Sequence, residues 1–231
     1  MTALLARLVN PIVWRIPGHG ARKLHRFSFA EHGSMLDLNA ACRLTPSPER
    51  SALYLQHMLD EKRHARMFAL RANELRTESG GQNLGFPHAD FENLFERLGE
   101  VRFLAFVHRG ERRGRAQFET YKAWFARHGD NKTRAMFDAI VRDEIRHETY
   151  SRALLVELAG GEAQARKALA RAALWEAWRQ WRRLGRAAAE GFYFVLMLAI
   201  YAMLAPFSLV AAWLRPAPSG WSAADNQADQ R

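Results

Sequence analysis

The chain has 231 residues, 34 Lys and Arg against 24 Asp and Glu, and a formal net charge of +10. Hydrophobic residues make up 48%, which supports a real core and excludes a disordered chain. The single cysteine, Cys42, excludes a disulfide framework and a cysteine-only zinc site, and it fits a reducing compartment.

Taken in chain order, residues 1–27 carry Arg7, Arg15, Arg22, Lys23 and Arg26 and no acid. Arg7, Pro11 and Arg15 interrupt the apolar run here, and no small-residue cleavage site follows, so this arm does not read as a clean signal peptide. It reads as a short amphipathic piece suited to a membrane surface, or as a frayed basic terminus.

Residues 28–161 nearly balance, with 20 basic and 19 acidic residues. They show helical periodicity and almost no strand alternation. A first helix is predicted over about 21–44, ending before Thr45-Pro46-Ser47-Pro48. Ser47 as N-cap and Pro48 at the first helical position start a second, which runs to about Arg76. Gly, Asn and Pro make 77–89 a loop. Asp90 then caps a third helix over 91–128, and Asp130 or Asn131 caps a fourth that runs to Gly160-Gly161. Four long helices in series predict an all-α, four-helix bundle. The loop is long enough to return along the bundle, which would make the second and third helices parallel without forcing it.

A fifth helix is predicted over 162–190, with seven basic and three acidic residues, leading into an uncharged segment over 191–214. At about 1.5 Å per residue this segment reaches roughly 36 Å, enough to cross a bilayer. Pro206 permits a kink or a re-entrant hairpin, and Tyr193, Tyr201 and Trp213 supply interfacial anchors. Basic residues crowd its N-terminal side. The positive-inside rule therefore predicts a cytoplasmic body and a short polar tail, 215–231, across the membrane. Anionic membrane lipid, not nucleic acid, is the expected partner for the charge, and no nucleic-acid module is visible.

The chemistry lies in a repeat. Asp60-Glu61-Lys62-Arg63-His64 and Asp143-Glu144-Ile145-Arg146-His147 both read D-E-x-R-H. In each, Glu and His are three residues apart and project from one helix face, where they can grip one metal ion together. Two solvated charged faces would share these letters. However, Leu59, Met67 and Phe68, and Ile140 and Tyr150, put the motifs near the inward face. A site inside a bundle also needs a carboxylate from each remaining helix. Glu31 and Glu111 fall near the midpoints of theirs, level with Glu61 and Glu144, whereas Glu100 and Glu119 lie about 16 Å and 12 Å along the axis from Glu111. Asp60 and Asp143 are placed either to accept the free N–H of a metal-bound histidine or to pair with Arg63 and Arg146 in solvent. His108, one turn before Glu111, reads as a supporting donor, an extra ligand or a structural histidine. Gly110 and Gly114 read as packing residues, and Tyr121 and Tyr150 as core tyrosines with redox capacity.

The series Glu31, Glu61-x-x-His64, Glu111, Glu144-x-x-His147 resembles the ferritin-like di-iron carboxylate superfamily over residues 28–160. The resemblance implies Glu31 and Glu111 as terminal carboxylates, Glu61 and Glu144 as bridges, and His64 and His147 completing two metal positions. The metals would be two Fe ions, with Mn possible at either position. Storage shells conflict with a membrane segment, and Cys42 alone cannot build the cysteine-rich module of the rubrerythrin type. There remains a membrane-anchored oxygenase or oxidase that uses O2, an external electron donor (a redox partner protein) and a lipid-soluble substrate such as an acyl chain, quinone or isoprenoid. A membrane-tethered ferroxidase or peroxide-detoxifying protein is the alternative, and a helical membrane adaptor without catalysis a third.

Overall fold

The computed structural model of the chain describes residues 2–89 and 91–213, and every regular element among them is a helix. These are α1 (Thr2–Arg15), α2 (His19–Leu44), α3 (Pro48–Glu78), α4 (Leu94–Leu98), α5 (Glu100–His128), α6 (Asn131–Ala159) and α7 (Glu162–Trp213). The chain divides into two compact units, Met1–Trp175 and Glu176–Arg231.

The helix starts follow local chemistry. Ser47 Oγ accepts from Arg50 N at 3.2 Å with Pro48 in the first turn, and Asp130 Oδ1 accepts from Thr133 N at 2.9 Å. Each satisfies an amide that the helix itself leaves unpaired. Gly129 and Gly160 close α5 and α6 with φ of 79°, in the left-handed region that a side chain disfavours.

Two expectations are corrected. The helix predicted over 91–128 is broken, because Gly99 (φ 74°, ψ 158°) separates α4 from α5. The apolar pattern runs through the break, since Leu94 and Phe95 are buried in the same cluster as Phe103. Asp90, expected to cap that helix, lies outside the described residues. The fifth helix and the uncharged segment are one helix, α7, which continues past Pro206 as far as Trp213. Leu214 and the 215–231 tail lie outside the described residues.

In the first unit, α2 packs on α3 and α5 on α6, with α3 also against α6. The short links at 45–47 and 129–130 make each pair antiparallel. The 79–93 connection runs back along α2. Gly85 O accepts from His25, Ala89 N donates to His32 Nδ1 and Leu94 N donates to Asp37 Oδ1. It delivers α5 to the end where α3 begins, where Glu100 Oε1 accepts from Arg50 Nε (2.8 Å), Tyr54 Oη (2.9 Å) and Thr45 Oγ1 (2.9 Å). Hence α3 and α5 point the same way. Glu61 and Glu111 each lie eleven residues beyond the Arg50–Glu100 clasp, so the two helices bring them to one level.

Two apolar clusters fill this unit. One contains Leu38, Tyr54, Phe103, Val107 and Leu154, with Ala165, Ala168 and Ala172 of α7. The other contains Leu24, Phe68, Phe118, Phe137 and Val141. On each of the four long helices, the predicted metal-ligating residues fall between a residue of one cluster and a residue of the other. α1 joins through Trp14, whose ring meets Tyr121 at 5.2 Å and Phe125 at 4.8 Å, while Leu8, Ile12 and Ile16 are exposed.

In the second unit, the α7 residues from Glu176 onward expose Trp178, Trp181, Phe192, Phe194, Leu198, Tyr201 and Phe207. This apolar helix is long enough to cross a membrane, with a mean hydropathy of 1.8 over its best window and none of that window buried.

Candidate metal centre

Between the two apolar clusters sits a layer of buried ionisable side chains: Glu31 from α2, His57, Glu61 and His64 from α3, Glu111 from α5, and Glu144 and His147 from α6. None exceeds 9% exposure. All six residues singled out from the sequence as ligands are therefore brought together. Their donor atoms form two groups, each within a 4.8 Å span: His57, Glu61, Glu111 and His147, and Glu31, Glu61, His64 and Glu144. Glu61 belongs to both.

The histidines are pre-set by their outer partners. His64 Nε2–H donates to Asp143 Oδ2 at 3.0 Å, and His147 Nε2–H donates to Asp60 Oδ2 at 3.1 Å. A carboxylate can only accept here, so the Nε2 proton is fixed, and in the neutral imidazole the lone pair lies on Nδ1. The support is crossed: each aspartate serves the histidine of the other repeat. The arginines join the same network, but neither aspartate faces solvent, so the pairing occurs beside the histidine contact and not in its place. Arg146 donates to Asp60 (2.6 Å) and Asp143 (2.9 Å), and Arg63 to Asp143 (2.6 Å) and Asp60 (2.8 Å). These contacts outweigh burial and hold both carboxyls below the ordinary range, Asp60 at about 2.

The inner atoms lack such partners. His57 Nε2, Glu61 Oε1, His64 Nδ1 and His147 Nδ1 are buried with no hydrogen bond. They face one another or neighbouring carboxylates: His57 Nε2 lies 3.2 Å from Glu61 and 3.4 Å from Glu111, His147 Nδ1 lies 3.6 Å from Glu61 and 3.5 Å from Glu111, and His64 Nδ1 lies 3.7 Å from Glu61 and 3.8 Å from Glu144. Two donors each about 2.1 Å from one ion sit roughly 3.0–3.4 Å apart. The two His57 distances fall in this range and the four of His147 and His64 exceed it by about 0.1–0.4 Å, a gap that small ring movements close. A ring nitrogen facing a carboxylate oxygen calls for a proton or a metal ion between them.

The carboxylates point to the same need. Burial, then the negative charge of Glu61, pushes Glu31 well above the ordinary range. Burial, then Glu111, Glu31 and Glu61, does the same to Glu144. Burial also raises Glu61 to about 7, a hydrogen bond with Glu31 opposing and Glu111 reinforcing the rise. Only Glu111 is lowered: positive charge beside it, on the protonated forms of His57 and His147, outweighs its burial, so this carboxylate too is held by a cation. Four carboxylates in a dry layer repel one another, and two divalent ions would cancel their charge.

Other residues resolve differently. His108 is in neither group; its Nδ1 approaches Glu148 O at 3.2 Å and Ser151 Oγ at 3.3 Å, and burial lowers its pKa. Gly114 does not pack a helix. A methyl group there would come within 3.0 Å of Glu144 Oε2, so the glycine leaves room for that carboxylate, while Gly110 faces open space. Tyr121 accepts from Gln117 Nε2 and lies in the Phe118–Phe137 cluster, whereas Tyr150 Oη sits 2.6 Å from His57 Nδ1. Sequence reasoning missed His57. Its signal is the spacing His57-x-x-x-Glu61-x-x-His64, which keeps all three on one helix face.

Comparison with known proteins gives no match to a family model, to a curated protein or to a solved structure. The site's own chemistry therefore carries the functional reading.

Proposed function

We propose that the chain is a membrane-anchored di-iron oxidoreductase of the oxygenase type, built on a ferritin-like four-helix bundle formed by α2, α3, α5 and α6. The observation that carries this reading is the buried layer of four carboxylates faced by a ring nitrogen, without a hydrogen bond, from each of three imidazoles. Glu31, Glu61, His64, Glu111, Glu144 and His147 would hold two Fe ions, or Mn in place of either. The donor set is oxygen and nitrogen without thiolate, which suits these metals. When bound, such a pair supplies O2 activation toward a C–H or carbonyl carbon.

The protein's own residues do the rest. Asp60 and Asp143 keep the proton on Nε2 of His147 and His64, leaving Nδ1 for metal. Arg63 and Arg146 fix both aspartates and balance their charge. Phe27, Phe68 and Phe118, in mutual ring contact, exclude water from one side of the layer. Cys42 stands alone, so electrons come from a redox partner protein.

The exposed apolar part of α7 suits a lipid phase, with Arg179, Arg182, Arg183 and Arg186 at its N-terminal side favouring a cytoplasmic body and anionic lipid. Leu8 and Ile12, exposed on α1, and Ile16 just after it suit the same surface. A lipid-soluble substrate (acyl chain, quinone or isoprenoid) follows from this location.

The test is metal content and O2 consumption of protein purified from membranes, with mass spectrometry of lipids and quinones from cells with and without it. Expected are about two Fe or Mn per chain, a lipid product that disappears with the gene, and loss of both metal and O2 uptake in Glu144→Ala and His147→Ala. Wild-type protein free of Fe and Mn overturns the reading. Iron oxidation with no organic product makes the protein a ferroxidase instead.

A further inference from the structure

We propose that His57 is a third imidazole ligand and that it makes the two metal positions chemically unequal. One position takes His57, His147, Glu61 and Glu111; the other takes His64, Glu31, Glu61 and Glu144. This inference rests on the two-metal reading above and adds to it a residue outside the E-x-x-H motifs.

Three observations carry it. His57 is 1% exposed, and its Nε2 has no hydrogen bond although two carboxylate oxygens lie 3.2 and 3.4 Å away. A histidine kept for structure would aim an N–H at one of them; this nitrogen sits between the two, where a ligand atom would. Second, Nδ1 is engaged outside, 2.6 Å from Tyr150 Oη. A phenol can accept or donate, unlike a carboxylate; in the tautomer this proposal requires, Nδ1–H donates to the phenol oxygen and the Nε2 lone pair is free, as the aspartates arrange for the other two histidines with the ring nitrogens exchanged. Third, the His57 and His147 rings lie face to face, their centroids 3.7 Å apart. The stacking, tilted by 31°, brings Nε2 of His57 and Nδ1 of His147 to the same two carboxylates, Glu61 and Glu111.

The repeat is thus only half symmetric. α6 has no counterpart of His57: the residue four before Glu144 is Ile140, fully buried among aromatic rings. One position gains an imidazole and has two carboxylates; the other has one imidazole and three carboxylates. Imidazole suits iron, and an oxygen-rich set suits manganese. Offered both metals, the centre should sort them, iron to the His57 side and manganese to the Glu31 side. Tyr150 acts as a positioning residue for His57.

The test is metal stoichiometry and Mössbauer spectroscopy of full-length protein loaded anaerobically with iron-57. Wild type should bind two irons giving two resolved doublets of equal area. His57→Ala should lose one iron per chain and one doublet, leaving the other unchanged. His57→Gln, which keeps most of the volume, repeats the measurement should the alanine variant fail to fold. Tyr150→Phe should keep both doublets but weaken the second iron about tenfold. Wild type with fewer than two metals sinks the underlying two-metal reading. Wild type with two, and both His57 variants with two and unaltered doublets, leaves that reading standing and overturns the role of His57.

Discussion

The two units of this chain depart from ordinary burial in opposite directions. In the first, carboxylates and imidazoles are sealed inside between two apolar clusters. In the second, phenylalanines, leucines and tryptophans stand exposed along a helix. Each departure is costly in water, and each underlies one half of the proposed function: divalent cations for the buried layer, an apolar phase for the exposed helix. The difference teaches that charge and hydropathy inform most where they sit on the wrong side of the surface.

The largest effect that tests this contrast is removal of residues 191–231. The truncated protein should move from the membrane to the soluble fraction and retain its metal, as read by fractionation with metal analysis. A truncated protein that still pellets would put the anchor elsewhere, with the exposed face of α1 the next place to cut. Next in size is the crossed aspartate support. Asp60→Asn and Asp143→Asn should each weaken metal binding about 10–100-fold in chelator competition, because an asparagine no longer holds the imidazole proton as firmly. Unchanged affinity would mean that the inner lone pairs suffice.

The smallest effect concerns a buried charge that already has its partners. Arg71, 8% exposed, donates to Asp130 Oδ2 (3.0 Å), Thr133 Oγ1 (2.7 Å) and Glu74 (3.0 Å). Hydrogen bonds from Thr133 and Arg71 outweigh burial and lower the Asp130 pKa. A lowered folded-state pKa contributes stability that is present above the unfolded value of about 3.9 and is lost as pH falls below it. Asp130→Asn keeps a capping oxygen, so it should cost only about 1 kcal/mol at pH 7. That cost should begin to shrink as pH falls below about 3.9 and vanish only below the lowered folded-state value, measured as the difference in Tm. A cost independent of pH would break the assignment, and metal should not change it.

Much of this was readable in the letters. Ser47-Pro48 and Asp130 start their helices as residue chemistry requires, and the two D-E-x-R-H segments meet in one layer. The break at Gly99 was not readable, because a glycine inside an apolar pattern costs a helix only about 1 kcal/mol and Leu94, Phe95 and Phe103 keep the pattern intact across it. The direction of α5 was left open by loop length alone; the contacts of Gly85, Ala89 and Leu94 along α2 decide it. His57 escaped because it lies N-terminal to Glu61, while an E-x-x-H pattern looks only toward the C-terminus. The join of 162–190 to 191–214 was hidden by an abrupt change in charge, to which the backbone of α7 is indifferent.

The Arg50–Glu100 clasp has a consequence for which length changes the chain tolerates. One residue inserted between Glu100 and Glu111 would advance the carboxylate by about 1.5 Å and swing it about 100° around α5, away from the layer. The same insertion within 79–89 leaves the clasp in place and is absorbed by the connection. Eleven-residue intervals on two parallel helices therefore act as a matched pair of rulers, and only a change made equally in both preserves the distance between Glu61 and Glu111.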